Sequence, residues 1–121
     1  MAIELSGDIT TPKPDGLIVA GFPMKTIAVE LAAGTGTLKR GTVLAKTETG
    51  CIALNTANTG KPYAILCDDQ TLSSSEKIVA DAYEAGCFVK DKLSVADGYT
   101  LTDDDKEALR EKGIFLEVSI D

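Results

Sequence analysis

The sequence predicts a mainly β (α+β) fold: a compact β-rich domain with one short late helix and an extended N-terminal arm. Three observations lead there. Eleven glycines, together with many Thr and Val residues, tilt the composition towards strands. Residues 38–66 read as three short strands separated by turns. The clearest helix start and stop signals lie near the end, over residues 102–113. The chain of 121 residues makes one domain, and with 44% hydrophobic residues but only three Phe, three Tyr and no Trp its core is aliphatic.

Residues 1–24 read as the arm and residues 25–121 as the domain. Thr10-Thr11-Pro12-Lys13-Pro14-Asp15-Gly16 carries two prolines and a glycine, which exclude helix and favour extended backbone. An apolar island follows, Leu17-Ile18-Val19-Ala20, closed by Gly21-Phe22-Pro23. It reads either as an ordinary first strand or as an arm that adds a strand to another chain. Residues 26–31 are a strand by composition, and Gly34-Thr35-Gly36 is a turn, without the third glycine or Lys-Ser/Thr of a phosphate loop.

In the central block, Arg40-Gly41 marks a turn before a β-branched run over 42–46, and Glu48-Thr49-Gly50 turns the chain back so that 51–54 pairs antiparallel with it. Residues 55–61 form a polar loop, and Pro62 can open a strand because its missing N–H costs nothing at a first position. Residues 63–67 are apolar without alternation, as in a strand buried on both faces. Residues 78–89 are ambiguous. Ser73-x-x-Glu76 with Ile78, Val79, Ala82 and Tyr83 fits a capped helix, and local rules lean that way; the same residues fit a strand broken by a bulge at Gly86. Thr102 is a good N-cap with Asp103, Asp104 and Asp105 in the first turn, where the helix dipole favours negative charge, and Asp105 at the third helical position can reach back as a shortened capping-box acid. Arg110 and Lys112 suit the last turn, with Gly113 as the stop. Residues 114–120 alternate as a half-buried strand does.

The net charge of −7 argues against a nucleic-acid partner, whose phosphates are held by Lys and Arg. No apolar run approaches the length of a membrane span, and the N-terminus lacks a signal peptide's basic and apolar regions, so production in a cytoplasm is expected. There is no His, and Cys51, Cys67 and Cys87 form no Cys-x-x-Cys pair. Consecutive aspartates on a helix do not converge on a metal. No enzyme, cofactor or metal is therefore expected, and the thiols read as reduced and buried.

Two resemblances follow from these motifs. Residues 38–49 resemble the hammerhead hairpin of lipoyl and biotinyl carrier domains, but Gly50-Cys51 stands where the modified lysine belongs. The second covers residues 17–117. Phe22-Pro23, Leu38-Lys39-Arg40-Gly41-Thr42-Val43-Leu44, Pro62-Tyr63-Ala64-Ile65-Leu66, Glu84-Ala85-Gly86-Cys87-Phe88 and Ala108-Leu109-Arg110-Glu111-Lys112-Gly113-Ile114-Phe115-Leu116 occur in the order seen in the lambda-type head decoration proteins of tailed bacteriophages, which the chain resembles. Cys67 and Cys87 depart from that pattern, and the tail runs five residues past Leu116. The resemblance implies a homotrimer assembled in the bacterial cytoplasm that binds the major capsid protein on the outside of the expanded head, stabilising it against DNA pressure. It implies that 78–89 is strand. It also implies a capsid-binding arm containing Thr10, Thr11, Pro12, Pro14, Leu17, Ile18, Val19 and Phe22, free until bound. The alternatives are a β-rich binding module with another partner and, less favoured, a carrier domain.

Overall fold

The computed structural model describes residues 17–19 and 23–117. The strands are β1 (Lys25–Leu31), β2 (Thr37–Leu38), β3 (Val43–Thr47), β4 (Gly50–Ala53), β5 (Ala64–Leu66), β6 (Gln70–Thr71), β7 (Ile78–Val89) and β8 (Ile114–Glu117). One α-helix, α1 (Asp103–Glu111), precedes β8. The mainly β class with its late helix is the observed one.

The principal sheet runs β1-β4-β3-β5-β7-β8, and β7 also pairs with β1. Strands β1, β4, β3, β5 and β7 therefore close into a small barrel, with β8 attached outside it. Within the ring β1 and β4 meet in parallel at Leu31 and Cys51, while the other neighbours are antiparallel. The hairpin read from Glu48-Thr49-Gly50 is present, with Thr47 opposite Gly50 across a two-residue turn.

Period-two alternation splits the core in two. Val29, Leu31, Leu44, Cys51, Ala64, Leu66, Ala80 and Ala82, drawn from all five ring strands, form one cluster inside the barrel. Three alanines among them leave room for so narrow a ring to close. Their strand neighbours Val43, Ala45, Ile65 and Tyr83 point the other way and join Leu54, Phe88, Leu109 and Ile114 in a second cluster. Strand β5 is buried on both faces, Ala64, Ile65 and Leu66 alike, which is why its sequence carries no polar alternation.

Residues 78–89 form a twelve-residue strand, against the local lean to helix. As a helix they would have left β1 without its longest pairing, the seven positions from Lys25 opposite Ala85 to Leu31 opposite Ile78. Tertiary pairing outweighs a four-residue capping pattern. Beyond Gly86, β7 leaves β1 and pairs in parallel with β8, from Gly86–Ile114 to Val89–Glu117.

Residues 17–19, which the sequence places in the arm, lie against the C-terminal half of β7 in this structure. The Val19 N–H donates to the Cys87 carbonyl at 2.9 Å and the Val89 N–H to the Leu17 carbonyl at 2.8 Å, with Ile18 bridged antiparallel to Phe88. Leu17 is 1% exposed and belongs to the second core cluster. It packs against the turn at Gly41, where a side chain is excluded: φ is +92°, and a Cβ would sit 2.9 Å from the Lys92 carbonyl and 3.3 Å from Leu17 Cδ1. Residues 17–19 thus meet the body through an isolated antiparallel bridge and the buried Leu17 side chain.

Deleting residues 2–16 is expected to leave the melting temperature within a few degrees of the intact protein. Leu17→Ala, which opens a cavity beside Phe88, is expected to cost about 2–4 kcal/mol. Urea denaturation of both variants checks this; equal stability of Leu17→Ala and the intact protein would contradict the core placement.

Candidate functional site

The ends of the described chain converge. Leu17 and Glu117 flank Val89 from opposite sides, the first through its carbonyl and the second through β8 pairing. Lys90 opens a 3₁₀ turn, Lys90–Lys92, at this end of β7. Between α1 and β8 runs a groove of about 520 Å³, lined by Ile114, Phe115 and Leu116 below and by Lys90, Lys106 and Arg110 with Asp103 and Glu107 at the rim. Phe115 is 45% exposed there, in a strand whose Ile114 is wholly buried.

Of the residues expected in the capsid-binding arm, Leu17, Ile18 and Val19 come together on the C-terminal half of β7. Thr10, Thr11, Pro12, Pro14 and Phe22 lie outside the described residues.

Helix α1, which forms one wall of the groove, is held by its start. Thr102 caps it through a bond from the Asp105 N–H (3.1 Å), and the Asp105 carboxylate accepts from the Thr102 N–H (2.9 Å), completing the capping box. That much was legible in the sequence. The rest was not: Asp105 is 0% exposed and accepts from the Gly60 N–H (2.6 Å) and from the Tyr99 hydroxyl. One buried carboxylate thereby ties the loop before β5, the loop before α1 and the helix itself together. Burial pushes its pKa up, but the bonds from Thr102, Tyr99 and Gly60 outweigh that and hold it below the ordinary 3.8. The helix ends as expected at Gly113, whose N–H donates to the Arg110 carbonyl at 3.1 Å.

The remaining polar cluster is structural in its geometry. Arg40 donates to the Cys67 carbonyl (2.7 Å) and to the Tyr83 hydroxyl (2.8 Å), and its N–H reaches Asp69 at 2.7 Å, pinning the turn before β3 to the strand β5–β6 connection. The three thiols are free and buried. Burial pushes Cys67 up to about 11, with Asp68 adding to it, and raises Cys51 and Cys87 as well. They stay protonated at neutral pH and are poor nucleophiles. Cys51, at the position a carrier domain gives to its modified lysine, points into the barrel. A recess of about 260 Å³ near the β3–β4 turn sets Lys46 and Lys77 against Glu30 and Glu48, a balanced rim with no converging chemistry. No helix among the described residues is long and apolar enough to cross a membrane.

No protein-family model matches the chain, and no curated protein matches it.

Asp105→Asn puts an amide N–H₂ where donors already converge, and is expected to cost about 1–3 kcal/mol at pH 7. Because the folded carboxyl titrates below its ordinary 3.8, its contribution is complete above that value and is lost as pH falls through the lower folded pKa. The stability gap between Asp105→Asn and the intact protein should therefore narrow below about pH 4. Urea denaturation at pH 7 and pH 3 reads the gap; a gap that widens in acid would contradict this sign.

Proposed function

We propose that this chain is a structural capsid decoration protein of a tailed bacteriophage, a homotrimer that binds the major capsid protein on the outer face of the expanded head and braces it. The observation that carries this reading is the ordered set of motifs. They fall at the joints of the fold: the turn at Gly41 leading into β3, the doubly buried β5, the Gly86 break in β7, and the passage from α1 through Gly113 into β8. Motifs at such joints specify a whole architecture, which an isolated surface match does not.

The acidic surface implied by a net charge of −7 suits a protein made in many copies and kept apart in solution. With residues 17–19 docked on β7, the arm offered to the capsid is residues 1–16, including Thr10, Thr11, Pro12 and Pro14. Ordering eight residues of such an arm costs about 8–16 kcal/mol of backbone entropy. Three arms on one trimer raise the effective concentration, adding about 10²–10⁴ in avidity. Trimerisation before capsid binding is the order this arithmetic favours.

Light scattering is expected to return about three times the 12.7 kDa chain mass at micromolar concentration without capsid. Mixed with expanded, undecorated capsids of the parent phage, the protein should add density at the three-fold positions, and deletion of residues 2–16 should remove it while the trimer persists. A monomer at high concentration, or full binding by the deletion, would contradict the reading; intact mass carrying a prosthetic group would favour the carrier alternative.

A further inference from the structure

We propose that Asp97 is a site of spontaneous backbone modification, where the Asp97-Gly98 peptide closes to a cyclic imide and reopens as isoaspartate, loosening the hold of Tyr99 on Asp105. The site stands apart from the decoration reading above.

Residues 96–99 form a turn closed by one bond, from the Tyr99 N–H to the Ala96 carbonyl at 3.0 Å. Asp97 and Gly98 at its tip are both exposed. Among the described residues the Asp97 carboxylate has no hydrogen-bond or ion-pair partner, and the Gly98 N–H donates to no acceptor. Electrophile and nucleophile therefore stand in adjacent residues, neither of them held by another bond. Gly98 sits at φ +81°, and nothing lies within 4 Å of where its Cβ would be. Its nitrogen is unshielded by a side chain, and a glycine lets the turn rearrange. Aspartates in the strand and the helix lack this combination. Ala82 follows Asp81 within β7, and the Lys106 N–H after Asp105 is bonded to the Thr102 carbonyl at 3.1 Å.

The chemistry is a dehydration followed by a hydrolysis. The Gly98 nitrogen bonds to Cγ of the protonated Asp97 side chain, and the amide proton leaves with the carboxyl hydroxyl as water. Hydrolysis of the imide adds that water back. Cleavage at the side-chain carbonyl restores aspartate. Cleavage at the main-chain carbonyl leaves isoaspartate, with the chain running through Cβ and Cγ and longer by one methylene. Nothing is oxidised or reduced. Solvent reaches the site through a recess of about 330 Å³, lined by Lys39, Ser94 and Asp97 among others.

The extra length has a direction. The Ala96 N–H is bonded to the Leu54 carbonyl at 3.0 Å, so the residue before the turn is fixed to the body and the displacement passes to Tyr99. The Tyr99 hydroxyl donates to Thr59 Oγ1 at 3.1 Å and to the buried Asp105 carboxylate. Moving it deprives that carboxylate of a donor and loosens the start of α1.

The test ages the full-length protein in buffer until a peptide of residues 92–102 has largely converted. Isoaspartate is counted by methyl transfer from labelled S-adenosylmethionine with an isoaspartyl methyltransferase, and located by peptide mapping. It should accumulate at Asp97, and the signal from this turn should be lost in Asp97→Glu, whose larger imide ring closes poorly. The isoaspartyl form, separated from fresh protein, should melt at a lower temperature and exchange the Gly60 amide, a donor to Asp105, more quickly. Aged protein that keeps aspartate at position 97 overturns the site. An isoaspartyl form that melts and exchanges like fresh protein overturns its coupling to Asp105.

Discussion

The structure depends on one strand doing two jobs on either side of a break. Strand β7 pairs with β1 and β5 through its first half and with β8 and residues 17–19 through its second. The register against β1 slips by one residue at Glu84, between Tyr83 opposite Thr26 and Ala85 opposite Lys25. Gly86 follows at φ +149°, where a Cβ would come within 3.1 Å of Met24 Cγ and Phe88 Cζ. A bulge and an adjacent glycine re-aim a strand without ending it. Here they carry β7 out of the barrel wall and place Phe88, wholly buried, under Leu17 and beside Leu109 and Ile114.

The consequence for function is geometric. Since residues 17–19 and β8 both flank the second half of β7, Leu17 and Glu117 lie at one end of the molecule. The edge of β8 and the rim of the groove lie at that end. The buried Asp105 matters to the same end indirectly. By fixing the start of α1 to Gly60 and Tyr99 it sets the wall of the groove in which Lys106 and Arg110 stand.

Local signals in the sequence were sufficient wherever the cause was local. The Glu48-Thr49 hairpin, the Thr102 capping box and the Gly113 stop each depend on residues within a few positions of one another, and each forms as read. The double burial of β5 was also legible, because a strand covered on both faces must lose its alternation. Causes distant in sequence were invisible. Ser73-x-x-Glu76 looks like a helix start whether or not β1 stands ready to pair with the residues beyond it. Leu17-Ile18-Val19 looks the same whether the chain's own β7 or another protein covers it. The groove leaves no local signal because Lys90, Lys106 and Phe115 come from three separate elements, and Asp105 finds Gly60 across 45 residues. The short β2–β6 ladder, Thr37 with Thr71 and Leu38 with Gln70, left no periodic trace in so few residues.

If the two halves of β7 are one cooperative unit, native-state hydrogen exchange gives the most direct reading. The account predicts that paired amides in residues 78–83 and in residues 86–89 share the slowest exchange, both governed by global unfolding. Exchange of residues 86–89 through a separate low-energy opening, with residues 78–83 still protected, would contradict it, because β8 and residues 17–19 would then be appendages and not members of the same fold.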